Sequence, residues 1–214
     1  MYIDRDVSWL VHIGKIITKI SQTVGIIGRA RGFMDGPQLF DLYNTMVLPH
    51  LQYCLINWGN FSGDGNSGLR AGLMSLQKSL VRIITASNNP ISHTDPLFAK
   101  LAIVKIGDLF EQRIRMFSFK LSRNLLPSGV TSLFQRATHQ YNTRGARSNI
   151  FVAHSNAESI KSIAPKHWNS LPLSLKNSPS IASFKDASKR GLLAPYSGFA
   201  CSKRGCPSCP TLPA

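Results

Sequence analysis

Between residues 9 and 30, apolar side chains recur at three- and four-residue spacing: Ile13, Ile16, Ile17, Ile20, Val24 and Ile27. That period stacks them on one face of an α-helix and leaves Lys15, Lys19 and Gln22 on the other. Residues 32–37 break the pattern, and Pro37 suits the first turn of a second helix over 38–47. Pro49 lacks an N–H and kinks or restarts that helix. The apolar stretch 51–58 reads as helix by continuity. After a loop of Gly, Asn, Ser and Asp over 59–68, a third helix places Leu69, Leu73, Leu76, Leu80 and Ile83 on one face. A fourth, over 106–124, has Asp108 near its start, where a negative charge suits the helix dipole. Leu109, Phe110, Ile114, Phe117 and Leu121 form its expected core side.

Beyond Pro127 the periodicity weakens. Residues 128–160 are rich in Ser, Thr, Asn and Gly, with a short strand expected over 148–154. Helices are expected over 163–170 and 181–193. The expected fold class is therefore mainly α: a helical bundle over 1–127, then a looser C-terminal half over 128–194 containing short strands and helices. From residue 195 the chain is rich in Pro, Gly and Cys, and a disordered tail over 195–214 is expected.

Composition adds a partner class. Lys and Arg number 25 against 10 Asp and Glu, a formal charge of +15 over 214 residues. So basic a chain gathers polyanions, of which nucleic acid is the commonest. With 43% hydrophobic residues it can bury a core. No uninterrupted apolar run approaches the roughly 18 residues of a membrane span, and Asp4 and Asp6 are foreign to a mitochondrial presequence. A cytoplasmic or nuclear protein with no membrane partner is expected. Four cysteines, Cys54, Cys201, Cys206 and Cys209, are too few and too clustered for a disulfide framework.

Several short segments then stand in a telling order. They are Ile3-Asp4, Ser8-Trp9 and His12-Ile13; residues 21–26; Tyr43, Leu48-Pro49-His50-Leu51 and Tyr53-Cys54, with Trp58-Gly59. Leu76-Gln77-Lys78 with Arg82-Ile83-Ile84 and His93-Thr94-Asp95-Pro96-Leu97 follow. Tyr141-Asn142-Thr143-Arg144, the segment from Pro165 through Lys166-His167-Trp168-Asn169 to Pro172, and Ser183-Phe184-Lys185 close the series. This succession resembles the C-terminal part of LINE-type (non-LTR, jockey-like) retrotransposon reverse transcriptases, over about residues 3–196. The resemblance implies a polymerase thumb and its C-terminal extension, which pack against template–primer duplex. It also implies that palm and fingers are missing. No adjacent Asp-Asp pair occurs in the sequence, and phosphoryl transfer needs carboxylates to hold its metals. The expectation is a catalytically incomplete region of an RNA-directed DNA polymerase that binds RNA or RNA–DNA hybrid non-specifically. A palm supplied by a longer copy would be a second partner. A stand-alone or domesticated RNA-binding or scaffold protein and a non-functional transposon relic are the alternatives.

The candidate contacts are basic. Lys15 and Lys19 on the first helix, Lys78 and Arg82 on the third, and Arg113, Arg115, Lys120 and Arg123 on the fourth are expected to form a stripe. An A-like template–primer duplex would be met at phosphates and 2′-hydroxyls. Arg144 and Arg147 are a further pair for RNA backbone, and Tyr141 beside them stacks on a base or anchors its loop. Trp168 is expected in the core. Asp4 and Asp6 are expected as cap or surface residues, not metal ligands. Gly63, Gly65 and Gly68 match a G-x-G-x-x-G spacing, but no strand precedes them and no βαβ unit surrounds them. Cys201, Cys206 and Cys209 supply three thiolates where a structural zinc site needs four ligands. They are weak zinc candidates, and no cofactor is expected.

Overall fold

The isoleucine period yields the longest of the described helices, α1, over Leu10–Ala30. In this computed structural model the structure describes residues 2, 3, 5, 9–60, 67–87, 93–134, 149–150 and 159–197. The rest of the helical order is α2 (Gly36–Met46), α3 (Leu48–Gln52), α4 (Leu55–Trp58), α5 (Ser67–Ile84), α6 (Asp95–Lys100), α7 (Ile106–Ser122), α8 (Ser128–Thr131), α9 (Ile160–Ser170), α10 (Leu173–Lys176) and α11 (Ile181–Ser197). The fold is mainly α, and no strand occurs among the described residues. Most of the expected strand over 148–154 lies outside them. Within it, Ile150 is held by a side chain: its N–H donates to Asn169 Oδ1 at 3.1 Å, and Asn169 Nδ2 donates to its carbonyl at 3.0 Å.

Two compact units emerge, Met1–Ile106 with Leu193–Ala214, and Gly107–Leu192. The division falls at the start of α7 and not at Pro127, so the fourth predicted helix belongs with the C-terminal elements. Its buried residues explain this. Phe119 and Leu121 join Ile150, Trp168, Leu171 and Phe184 in one cluster, with the Phe119 and Phe184 rings stacked at 4.4 Å. α11 continues to Ser197, past the expected start of the tail at residue 195, and the remainder of that tail lies outside the described residues. Tyr196 is buried, and its hydroxyl accepts from Lys105 N at 3.2 Å.

In the first unit α1 and α5 pack side by side. Ile17 Cδ1 lies 3.6 Å from where a Cβ on Gly72 would stand, and Ile83 Cδ1 lies 3.9 Å from the equivalent point on Gly28. Both contacts advance along the two chains together, so the helices run parallel. A Cβ at either glycine would stand in ordinary van der Waals contact with the opposing isoleucine. Ile13, Ile16, Ile20 and Ile27 are buried as the period predicts. On α5 the buried arc differs from the predicted one. Leu73, Gln77, Leu80, Val81 and Ile84 are buried, whereas Leu69, Leu76 and Ile83 are half-buried. Gln77 turns the helix. Its Nε2 donates to Tyr43 Oη at 3.2 Å and its Oε1 accepts from Ile106 N at 2.8 Å. Paired in this way, an amide sits in the core at little net cost. Burial pushes the Tyr43 phenol up to about 12, against the lowering effect of its bond to Gln77.

The stretch 51–58 is helical, but Cys54 divides it. That residue adopts a left-handed backbone, φ 51°, between α3 and α4. A capping box starts α2: Gln38 N donates to Asp35 Oδ1 at 3.0 Å, and Asp35 N donates to Gln38 Oε1 at 3.2 Å. Such reciprocal pairing satisfies two N–H groups that a helix start leaves open.

Candidate nucleic-acid interface

Across α1 and α5 the charge is of one sign. Lys15, Lys19 and Arg29 lie on α1, and Arg70, Lys78 and Arg82 on α5, while neither helix contains an Asp or Glu. Carboxylates would have cancelled the field locally; their exclusion from two adjacent helices lets it add. Helix phase separates these cations into two ridges. At about 100° per residue, Lys15 and Lys19 project about 160° away from the α5 seam, and Lys78 leaves α5 on its solvent side with Arg82 one turn further along. Lys15, Lys19, Arg29 and Lys78 are exposed, and Arg82 is half-buried. The Lys15 ammonium stands 3.4 Å from the centroid of the exposed Tyr2 ring.

The second unit uses its cations differently. Arg115 Nη2 donates to Glu111 Oε1 at 2.6 Å, one helical turn away. The Glu111 carboxyl is held down at about 2, first by His167, whose Nδ1 is 3.6 Å away, and then by Arg115, against the upward push of burial. By distance, Arg115 is the firmer partner. Arg123 Nη2 donates to Ser178 O at 3.1 Å while its guanidinium lies 5.5 Å from the Phe119 centroid. Arg113 is half-buried, and that burial lowers its pKa. Lys120 is half-buried as well. Of the eight predicted helical contacts, then, the structure brings Lys15 and Lys19 onto one ridge and Lys78 and Arg82 onto another. It engages Arg115 and Arg123 in contacts within their own unit. Arg144, Arg147, Tyr141, Asp4, Asp6, Cys201, Cys206, Cys209, Gly63 and Gly65 lie outside the described residues.

Two further features carried no clear signal in the sequence. The first is His12, only 6% exposed on α1. Its ring lies among Tyr2, Trp9 and Trp58, with centroids 6.4, 6.3 and 5.9 Å away. Neither ring nitrogen has a hydrogen-bond partner among the described residues. Burial, and secondarily the positive N-terminus, lowers its pKa. The second is the turn after α1, where Phe33 is 94% exposed and Met34 also reaches solvent. The first unit also holds a mainly apolar cavity of about 490 Å³, walled in part by Phe40, Ile84 and Leu101 with Lys100 beside them.

Among the described residues no group of three His, Cys, Asp or Glu side chains is placed to hold a metal ion. The Cys54 thiol is free. Of the described helices, α1 is long and apolar enough to cross a membrane by length and composition. A core helix passes the same test, and the buried isoleucines of α1 face the interior of its unit. No family model matches the chain, and no curated protein or solved structure gives a significant match.

Proposed function

We propose that the first unit binds nucleic acid without sequence preference, through phosphates, on the acid-free ridges of α1 and α5. The observation that carries this reading is the presence of six cations and no carboxylate on the two helices. Each phosphate neutralised by Lys or Arg releases condensed counterions, which drives binding irrespective of base sequence. Lys15, Lys19, Arg29 and Lys78 are exposed, and contacts from such side chains to phosphates position a protein on nucleic acid without carrying sequence information.

Within this reading the chain acts as the thumb and C-terminal extension of a LINE-type reverse transcriptase, gripping RNA or RNA–DNA hybrid without supplying polymerase chemistry itself. The ordered segments that resemble that family support it. So do Tyr2, Ile3, Leu10 and Val11, exposed apolar residues at the start of α1 and just before it, where the resemblance places the palm. Uncovered apolar surface of this kind favours a unit that docks on a larger enzyme over an independent RNA-binding protein. Titration of a fluorescently labelled RNA–DNA hybrid by anisotropy at low salt tests the proposal. Dissociation constants of roughly 1–100 μM are expected, the range of non-specific binding. Binding weaker than about 100 μM under those conditions overturns it.

A further inference from the structure

The exposed arc of α1 does not end with the helix. Gln22, Ile26 and Arg29 continue the ridge of Lys15 and Lys19 at three- and four-residue steps, and all are exposed. Past Ala30 the spiral persists: Arg31 N donates to Ile27 O at 3.1 Å, and Phe33 N and Met34 N both donate to Ala30 O at 2.9 Å. Phe33 therefore falls in line with Ile26 and Arg29, at the far end of the ridge. From Lys15 to Phe33 is about 27 Å at 1.5 Å per residue, long enough for several phosphate contacts.

We propose that Phe33 is a stacking platform for an unpaired nucleobase at the end of a duplex that lies along this ridge; the inference rests on the phosphate-binding reading above. A phenyl ring 94% exposed is hydrated on both faces, and a base is a flat apolar surface that can cover one of them. The backbone beneath the ring is pinned on both sides, by the bonds to Ala30 O before it and by the Asp35–Gln38 capping box after it. A platform held in place loses little conformational freedom when it is covered. Arg29, one turn before the ring, is placed to neutralise the phosphate next to the stacked base. Lipid insertion would use the exposed Ile26, Phe33 and Met34 together, whereas stacking needs Phe33 alone, and the vesicle arm of the test below separates the two. One flat face suffices for a base.

The test uses the full chain and a hybrid carrying 2-aminopurine either in a single-nucleotide overhang or in the duplex interior. Wild type is expected to change the fluorescence of the overhang probe and not of the interior one. Phe33→Ala is expected to abolish that change and to weaken binding about 5- to 150-fold, the equivalent of the ~1–3 kcal/mol of base–aromatic stacking. Phe33→Trp restores both. Because the ring touches little of the fold, thermal melting of Phe33→Ala is expected to match wild type. If wild type binds the hybrid but Phe33→Ala leaves affinity and the probe signal unchanged, the stacking proposal falls while phosphate binding stands. If wild type does not bind at all, both fall. Phe33-dependent binding to phosphatidylserine vesicles without a probe response assigns the tip to lipid and also overturns the proposal.

Discussion

Gln77 shows how a polar side chain sets the architecture of its unit. Replacing it with leucine strands the Ile106 N–H and the Tyr43 hydroxyl in a dry interior. A cost of about 2–6 kcal/mol is expected, since each of the two buried groups left unpaired is penalised by roughly 1–3 kcal/mol. Urea denaturation measures it, and an unchanged midpoint would show that water replaces the amide. His12 makes a prediction of opposite character, because burial keeps it neutral. The positive N-terminus acts in the same direction. Its folded pKa lies below the ordinary 6.5. As pH falls through about 6.5, the unfolded chain binds a proton that the folded chain refuses, and stability declines until folded His12 protonates too. Stability above that pH is not lost by this route. The variant His12→Phe is expected to flatten this acid limb between about pH 7.5 and 5.5 and to raise stability by removing two unpaired nitrogens. An acid limb of equal slope in the variant would assign the effect to other groups.

At the scale of elements, α1 was the most legible part of the chain, because apolar period and burial coincide along most of its length. The phase of α5 was less so. The apolar period puts Leu76 and Ile83 on the core face, whereas the hydrogen-bond partners of Gln77, more than 25 residues away in sequence, turn that amide inward instead. The break between α3 and α4 depends on a left-handed cysteine, which propensity does not suggest. The site was legible as a set of residue types rather than as a surface. A count of cations treats Lys19 and Arg115 alike, yet Glu111 engages one and leaves the other exposed. The segments bearing the family resemblance explain part of this. Tyr43, Leu51, Trp58, Gln77, Trp168 and Phe184 are all buried, so they preserve packing and hydrogen-bonded knots more than contacts with a ligand. It follows that neutralising Lys15, Lys19 and Arg29 together as glutamines weakens hybrid binding at least tenfold and leaves the melting temperature unchanged. Neutralising Arg115 and Arg123 is expected to lower the melting temperature and to change affinity less. The reverse pattern, seen by anisotropy and differential scanning fluorimetry, would move the interface to the second unit.

For the whole molecule, the excess of positive charge takes on meaning from its distribution. Ten acidic residues are spread over 214 positions, yet none falls between Val7 and Met34 or between Gly65 and Thr94. These gaps contain the two helices that pack in parallel, and the fold turns each gap in sequence into an acid-free ridge. The central claim is that the α1 ridge binds by neutralising phosphates. It is tested most directly by the slope of log K against log salt for the RNA–DNA hybrid, measured by anisotropy between about 50 and 200 mM NaCl. About 0.7–0.9 per phosphate contact and three to six contacts give an expected slope of roughly −2 to −5, reduced by about 2–3 in the Lys15, Lys19, Arg29 triple variant. A wild-type slope near zero, or one that the triple variant leaves unchanged, would contradict the claim.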